Sequence, residues 1–432
     1  MQLTIFRGSK EVGGNCIEVQ SGNTRIVLDV GMPLFDQQGQ AHDGFTLGRM
    51  ATDELQANGI IPKVPGLFSG DQSPDAILLS HAHLDHVGLL RHTKPSIPVY
   101  ASRGTSKMML AGSVYANQQQ LPRDRFKEIE PKQTVVIGDM TVTAFLVDHS
   151  IHGCLAFLIE AEGKRILYTG DLRLHGRRQD AHKQIVTALG GTKLDTLVVE
   201  GTHFGFENGN EVTEDGLEAE IIEHVKSASS LVLASFSPQN IDRLRSFIRA
   251  SSETRRTFVA DAYTAFVLHL VGSDAKLENP LKTGNGRVYF PDSLKEKIQR
   301  RGTNRANELF RETEIDMAEI MQAPEKYVMV FRSSMLSDFD GCIPSETLCL
   351  YSTWHGYSQR LDWQEVQKAL DGVEGKITHV HTSGHALSSD LVEFTKAIDA
   401  RTIVPVHSFE PEAFKDHFSN VTISTDGETI EI

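Results

Sequence analysis

Ser80-His81-Ala82-His83-Leu84-Asp85-His86 follows directly on the apolar run Ala76-Ile77-Leu78-Leu79. Three imidazoles and a carboxylate crowded into residues 81–86, at the end of an expected strand, make a poor core and a good set of metal ligands. On a tight turn, residues at i and i+2 can converge on one ion, while the Asp and His that follow reach a neighbouring ion. The spacing therefore predicts a site for two divalent cations.

The sequence on either side of this turn reads as a layered α/β fold. Short β-rich runs, Arg25–Asp29, Ala76–Ser80, Ile97–Tyr100, Thr141–Phe145 and Arg165–Thr169, alternate with turns and helical stretches through the first 200 residues. Several stop abruptly at Gly, Asp or His, and strand ends are rigid places to display chemistry. From about Thr213 the rhythm changes to strand-helix-strand: a helix over Asp215–Ser227, strands at Leu231–Ser235 and Phe258–Asp261, and further strands at Tyr327–Phe331 and Thr347–Tyr351. That pattern predicts a second, parallel α/β unit. No linker of low complexity separates the two, so the second unit reads as inserted into the first. The expected boundaries are 1–205 and 376–432 for the first unit and 206–375 for the insertion.

Composition narrows the function classes. Apolar residues make up 40% of the 432 positions and charged residues 23%, ordinary for a globular protein. No apolar run approaches the roughly 20 residues that a bilayer demands, and the first residues read as a strand rather than a secretory signal, so a cytoplasmic protein without a membrane partner is expected. Cys16, Cys154, Cys342 and Cys349 form no C-x-x-C pair and are expected to be buried free thiols. The net charge of −14 argues against a protein that coats nucleic acid nonspecifically. That average hides a basic segment: Ile241–Arg311 carries 14 Lys/Arg against 8 Asp/Glu. Within it Arg243, Arg245, Arg249, Arg300, Arg301 and Arg305 are candidates to meet a substrate backbone, as is the Arg332-Ser333-Ser334-Met335 segment farther on.

The motif His81-x-His83-x-Asp85-His86 resembles the signature of the metallo-β-lactamase superfamily, and later residues arrive in that family's order. Asp29 matches its first, structural aspartate, His149 the next histidine ligand and Asp171 the carboxylate shared by both ions. Glu200, His385 and His407 resemble motifs A, B and C of the β-CASP nuclease branch, which includes ribonuclease J, mRNA 3′-end processing endonucleases and Artemis-like DNA nucleases. The resemblance covers essentially the whole chain. It implies a metallo-β-lactamase αββα sandwich carrying an inserted parallel α/β β-CASP domain.

The same resemblance implies one ion on His81, His83, His149 and Asp171, and another on Asp85, His86, Asp171 and His407, with Zn²⁺ expected and Mn²⁺ tolerated. Asp85, Glu200 and His385 are the expected catalytic residues, His385 as general acid held by Glu200, and Ser383 with Gly384 the expected substrate-phosphate site, with Ser388 and Ser389 available to cap the helix that follows. The implied activity is hydrolysis of phosphodiester bonds in single-stranded RNA, by endo- or 5′-exonucleolytic attack. Rival readings are a DNA nuclease of the same branch, a small-molecule metallo-hydrolase and a non-catalytic subunit; the motifs at Glu200 and His385 and the insertion disfavour the second, and an intact ligand set the third. A homo-oligomer is compatible with the resemblance but is not implied by any motif.

Overall fold

The computed structural model describes residues 1–432 except 37, 38, 43 and 207–211, and the side chains at 45 and 301. The chain divides into two compact units, Met1–Asn210 with Gly384–Ile432, and Glu211–Ser383.

Two sheets build the first unit. One runs in the order Thr429–Glu431, Gln2–Arg7, Cys16–Ser21, Thr24–Leu28, Ala76–Leu78, Val99–Ala101, Phe126–Glu128, and turns from antiparallel to parallel at Thr24–Leu28. The other runs Thr402–Val406, Thr196–Glu200, Lys164–Tyr168, Leu155–Ala161, Met140–Leu146, Thr134–Ile137, with its first three strands parallel. Alternation with period two decides which side chains face inward. Leu3 and Ile5, Ile17 and Val19, and Ile26 and Leu28 from the first sheet share one core with Val142 and Ala144, Leu155 and Phe157, and Ile166 and Tyr168 from the second. Each of the Val, Leu, Ile and Phe side chains among them contributes about 1.5–3 kcal/mol on burial. Helices Ala181–Leu189 and Ser388–Ile398 pack on each other, and the former lies against Met140–Leu146.

The second unit holds a seven-stranded sheet, parallel throughout, in the order Glu314–Ile315, Gly286–Tyr289, Thr257–Asp261, Tyr327–Val330, Val232–Ser235, Leu348–Tyr351, Lys376–His379. Its central strands Val232–Ser235, Tyr327–Val330 and Leu348–Tyr351 are buried at every position, as in parallel sheets covered on both faces. The α/β class with an inserted parallel unit is thus the one read from the sequence.

Two expectations are corrected. Residues 376–379 were assigned by sequence to the first unit, but Lys376–His379 pairs in parallel with Leu348–Tyr351 at the edge of the second unit's sheet. A short β-rich run carries no mark of the sheet it joins. Of the four free thiols, Cys16, Cys154 and Cys349 are buried but Cys342 is exposed. Among the described residues no helix is long and apolar enough to cross a membrane.

Candidate metal centre

Strand pairing brings the chemistry together. In the first sheet Leu28 lies beside Leu78 in parallel register, so Asp29 and Ser80-His81 leave the sheet at the same edge. In the second, Tyr168 lies beside Val198 and Glu200 beside Val406, so Asp171, Thr202 and His407 emerge together. Parallel neighbours share a carboxyl-terminal edge, and residues far apart in sequence become neighbours there.

Asp29 is fully buried and holds the histidine turn in place rather than joining the cluster. It accepts from Ser80 N and Ser80 Oγ, each at 2.7 Å, from Tyr168 OH at 2.6 Å, and lies 2.8 Å from His86 Nδ1. Its φ of +57° and that of His407, +52°, are in the left-handed region. Such conformations are costly outside glycine and persist where surrounding bonds over-determine them. At His407 one such bond runs from its backbone N–H to Gly8 O, 2.8 Å away.

Two clusters form around this frame. Ligand atoms of His81, His83 and His149 lie within 4.8 Å of one another, as do those of Asp85, His86, Asp171 and His407. His83 Nδ1 is 3.1 Å from Nε2 of both His81 and His149. Asp171 stands at the centre: its Oδ2 is 3.1 Å from His86 Nε2, 3.7 Å from His81 Nε2, and 3.9 Å from His149 Nε2, His385 Nδ1 and His407 Nε2. Asp171 Oδ1 is buried with no hydrogen-bond partner. An orphaned buried carboxylate oxygen amid converging imidazoles is what a divalent cation would satisfy. The donors are all nitrogen and oxygen, so the site fits divalent metal binding.

The hydrogen bonds behind the rings set their tautomers. His149 Nδ1–H donates to Gly384 O, which turns a bare Nε2 toward the cluster. Asp29 takes the Nδ1 side of His86, so its Nε2 faces Asp171. Burial pushes His81 and His149 well below the ordinary imidazole range and His83 down to about 4, so these rings stay neutral and able to ligate. His86 goes the other way. Burial would lower it, but Asp171, Asp29 and Asp85 raise it well above its ordinary value. Burial likewise opposes ionisation of Asp171 and Asp85, yet His407 and His86 beside the first, and His86 and His407 beside the second, hold both carboxyls below the usual range.

Glu200 and His385 form a dyad against this cluster. Glu200 Oε1 accepts from Leu172 N at 2.8 Å, and Oε2 lies 2.9 Å from His385 Nδ1. The His385 side chain is 22% exposed where those of Glu200 and Asp171 are 1%, so it is the solvent-facing member. Burial lowers its basicity, but Glu200 and Asp171 overcome that and raise its pKa to about 9. Asp171, Glu200, His385 and His407 also have ligand atoms within 4.8 Å of one another.

Other expected site residues fall differently. Gly384 places its carbonyl on His149; Ser383 closes the second unit and Gly384 begins the last part of the first. The following helix starts at Ser388 with Leu387 as its uncapped N-cap. Ser388 Oγ donates to His203 O instead of capping, and the Ala386 amide is engaged by Leu172 O. In the second unit Arg243 is fully buried, 2.9 Å from Glu214 and donating also to Thr382 O, so it braces the unit and does not reach a substrate. Arg245 donates to Ala275 O. Arg249 pairs with Glu218 and Glu253, and Arg300 with Glu296. Arg305 is exposed. The Arg301 side chain lies outside the described residues. Arg332 is held by Asp261 at 2.6 Å and lies over the Tyr263 ring.

Four contributors escaped the sequence reading. Thr202 Oγ1 donates to Glu200 Oε2 at 2.6 Å and lies 3.1 Å from His385 Nδ1 and 2.9 Å from His407 Nδ1. Asp148 binds Arg173 Nε at 2.9 Å, while Arg173 N donates to Asp148 O, tying the His149 loop to the Asp171 loop. Tyr168 anchors Asp29. Their only sequence signal is adjacency to the motifs: Thr202 follows Glu200, Asp148 precedes His149 and Arg173 follows Asp171.

Residues 55–219 match a model described as a beta-lactamase superfamily domain, and residues 372–428 one described as a Zn-dependent metallo-hydrolase RNA specificity domain. The chain is similar to a ribonuclease J of Mycolicibacterium smegmatis, 22% identical over 94% of this chain and 68% of the relative. A ribonuclease J of Corynebacterium glutamicum is 21% identical over 94% of this chain and 53% of its own length. A probable RNase, MJ4, of Methanocaldococcus jannaschii is 27% identical over 51% and 50%. The chain thus spans from half to about two thirds of these relatives. A crystal structure of a protein of unknown function from Enterococcus faecalis aligns with a TM-score of 0.80 at 21% identity, over 99% of each chain, and shares the fold.

Proposed function

The chain belongs to the metallo-β-lactamase superfamily, in the β-CASP branch that includes ribonuclease J, and from that premise we propose that it is a metal-dependent ribonuclease cleaving single-stranded RNA. The observation that carries the reading is the convergence on Asp171, whose Oδ2 lies within 3.9 Å of nitrogens from five histidines while Oδ1 has no partner. RNA as substrate is supported by the ribonuclease J relatives and by the description of the domain matched at residues 372–428.

His81, His83, His149 and Asp171 would hold one ion, and Asp85, His86, Asp171 and His407 the other; the nitrogen and oxygen donors favour Zn²⁺ and admit Mn²⁺. Bound there, two such cations would supply Lewis acidity that acidifies a water molecule toward a pKa of about 7 and offsets charge on phosphate oxygens. The remaining steps belong to the chain. Asp85, held as a carboxylate with its Oδ2 3.2 Å from His407 Nε2, orients the attacking water. His385, kept protonated by Glu200, gives the leaving oxygen its proton from Nε2. Ser383 and Gly384 remain the proposed rest for a substrate phosphate, through the backbone beside His385 and not through a helix N-terminus.

Digestion of end-labelled single-stranded RNA and matched DNA, with 5′-phosphate or 5′-hydroxyl ends and in Zn²⁺ or Mn²⁺, tests the reading. Metal-dependent RNA cleavage is expected, with DNA cut more slowly. Preferential cutting of DNA would replace the substrate assignment. Cleavage of neither, by protein shown to carry metal, would overturn the nuclease reading, and product lengths distinguish internal from end-directed attack.

A further inference from the structure

Apart from the metal centre, the second unit contains a cavity of about 440 Å³ at the edge of its sheet. That size lies within the roughly 300–1,000 Å³ of small-molecule sites. It is walled by four rings, Tyr351 and His379 from the ends of adjacent strands, His355, and Trp363 from helix Leu361–Asp371, with Gln367 and Lys368 from the same helix. The rings pack on one another: Tyr351 and Trp363 have centroids 4.5 Å apart, Tyr351 and His379 5.0 Å, His355 and His379 4.7 Å. A cavity so built offers flat π surfaces and edge groups together. The Tyr351 hydroxyl is buried in this wall, with Thr353 beside it.

The surroundings are unusual for a solvated surface. Trp354, Tyr357 and Leu361 are 58%, 48% and 78% exposed, so both tryptophans of the chain sit at or beside this cavity. Exposed large apolar groups gathered in one place mark a binding surface more often than a plain one. Their kind narrows the ligand. Aromatic rings alone would suit any apolar molecule, but the Gln367 amide and the Lys368 ammonium add a hydrogen-bonding edge and one positive charge. A planar base with a phosphate attached meets all three features.

We propose that this cavity is a nucleotide subsite, in which a base of single-stranded RNA stacks on the exposed His355 and His379 rings, backed by the buried Tyr351 and Trp363, and its phosphate meets Lys368. The proposal deepens the ribonuclease reading and rests on it for the source of the nucleotide. Base stacking of this kind tolerates sequence, since every base presents a π face. The subsite therefore adds affinity for unpaired RNA without selecting a cleavage sequence.

Because Trp363 lines the cavity and Trp354 adjoins His355 in the chain, tryptophan emission reports on it. Metal-loaded full-length protein is titrated with AMP and UMP, which contain no internucleotide bond, with a short adenylate oligomer, and with ribose 5-phosphate. Saturable quenching by the mononucleotides and the oligomer is expected, with little response to ribose 5-phosphate. His355→Ala and Lys368→Ala alter exposed side chains, and each should weaken binding by about tenfold, the order that one stacked ring or one phosphate contact supplies. Flat emission, equal quenching by ribose 5-phosphate, or unchanged affinity in both variants would overturn the proposal. So would an emission change that follows protein concentration alone, which would mark the face as a contact between copies of the chain. RNA cleavage is measured on the same preparations. Cleavage with flat emission removes the subsite alone, whereas nucleotide binding without any cleavage removes the nuclease reading and leaves a nucleotide site.

Discussion

The hydroxyl of Thr202 lies 2.9 Å from Nδ1 of His407, and the same oxygen lies 3.1 Å from Nδ1 of His385 and donates to Glu200 at 2.6 Å. A threonine hydroxyl has one proton and two acceptor sites. With the proton directed at Glu200, both imidazoles must donate from Nδ1, so one side chain fixes the tautomer of a metal ligand, His407, and the orientation of the proposed acid, His385. Removing an outer partner of a metal-binding histidine typically costs roughly 10–100-fold in metal affinity or activity. Thr202→Val keeps the shape and removes the hydroxyl; it should lose metal affinity and rate by that order, while Thr202→Ser restores both. Metal titration beside the rate measurement decides, and a valine variant with both unchanged would show the hydroxyl to be incidental.

His385 is partly exposed, and Glu200 and Asp171 raise its pKa to about 9. His385→Ala should retain its metal content and lose cleavage by about 10²–10⁴-fold, the usual contribution of a general acid. Elemental analysis of the purified variant separates the two effects: metal lost in parallel with activity would make His385 a ligand instead.

How much of this was legible in the sequence follows from distance along the chain. Residues 81–86 carry their chemistry within one turn, so composition and spacing revealed it. Asp171, Glu200 and His407 meet only through the parallel register of three strands, and single acidic or imidazole groups have no local mark of that fate. Family resemblance, not periodicity, supplied them. Arg243 shows the opposite failure. It was read as surface because it lies in a basic stretch, yet it stands four residues before Phe247 on the buried face of helix Ile241–Glu253. Helical spacing held that signal and net charge obscured it. Thr202 had only its place after the Glu200 strand as a signal, and a threonine after a strand is commonplace.

Gly384 is close to its neighbours as well as bonded to one. A Cβ there would stand 3.0 Å from Ser150 Oγ and 3.2 Å from His149 Cε1, while the Gly384 carbonyl already accepts from His149 Nδ1. Gly384→Ala should therefore displace the His149 ring and weaken metal at the His81–His83–His149 cluster, with little change in global stability. Calorimetric metal titration beside a thermal melt tests this. Full metal affinity in the variant would mean that Ser150 gives way instead of His149.

Glu214 and Arg243 are both wholly buried, 2.9 Å apart, and join helix Glu214–Ser227 to helix Ile241–Glu253 inside the second unit. A buried pair adds little net stability when complete, because desolvation offsets the attraction, but removing one partner strands the other charge. Glu214→Ala should lower stability by about 3–5 kcal/mol, the usual cost of breaking such a pair. Chemical denaturation measures it, and replacing both residues with apolar ones of similar size should recover much of the loss. A single variant as stable as the parent would show that water or neighbouring carbonyls solvate Arg243 without Glu214. The metal ligands all lie in the other unit, so metal content should remain at its parental level while the second unit loosens.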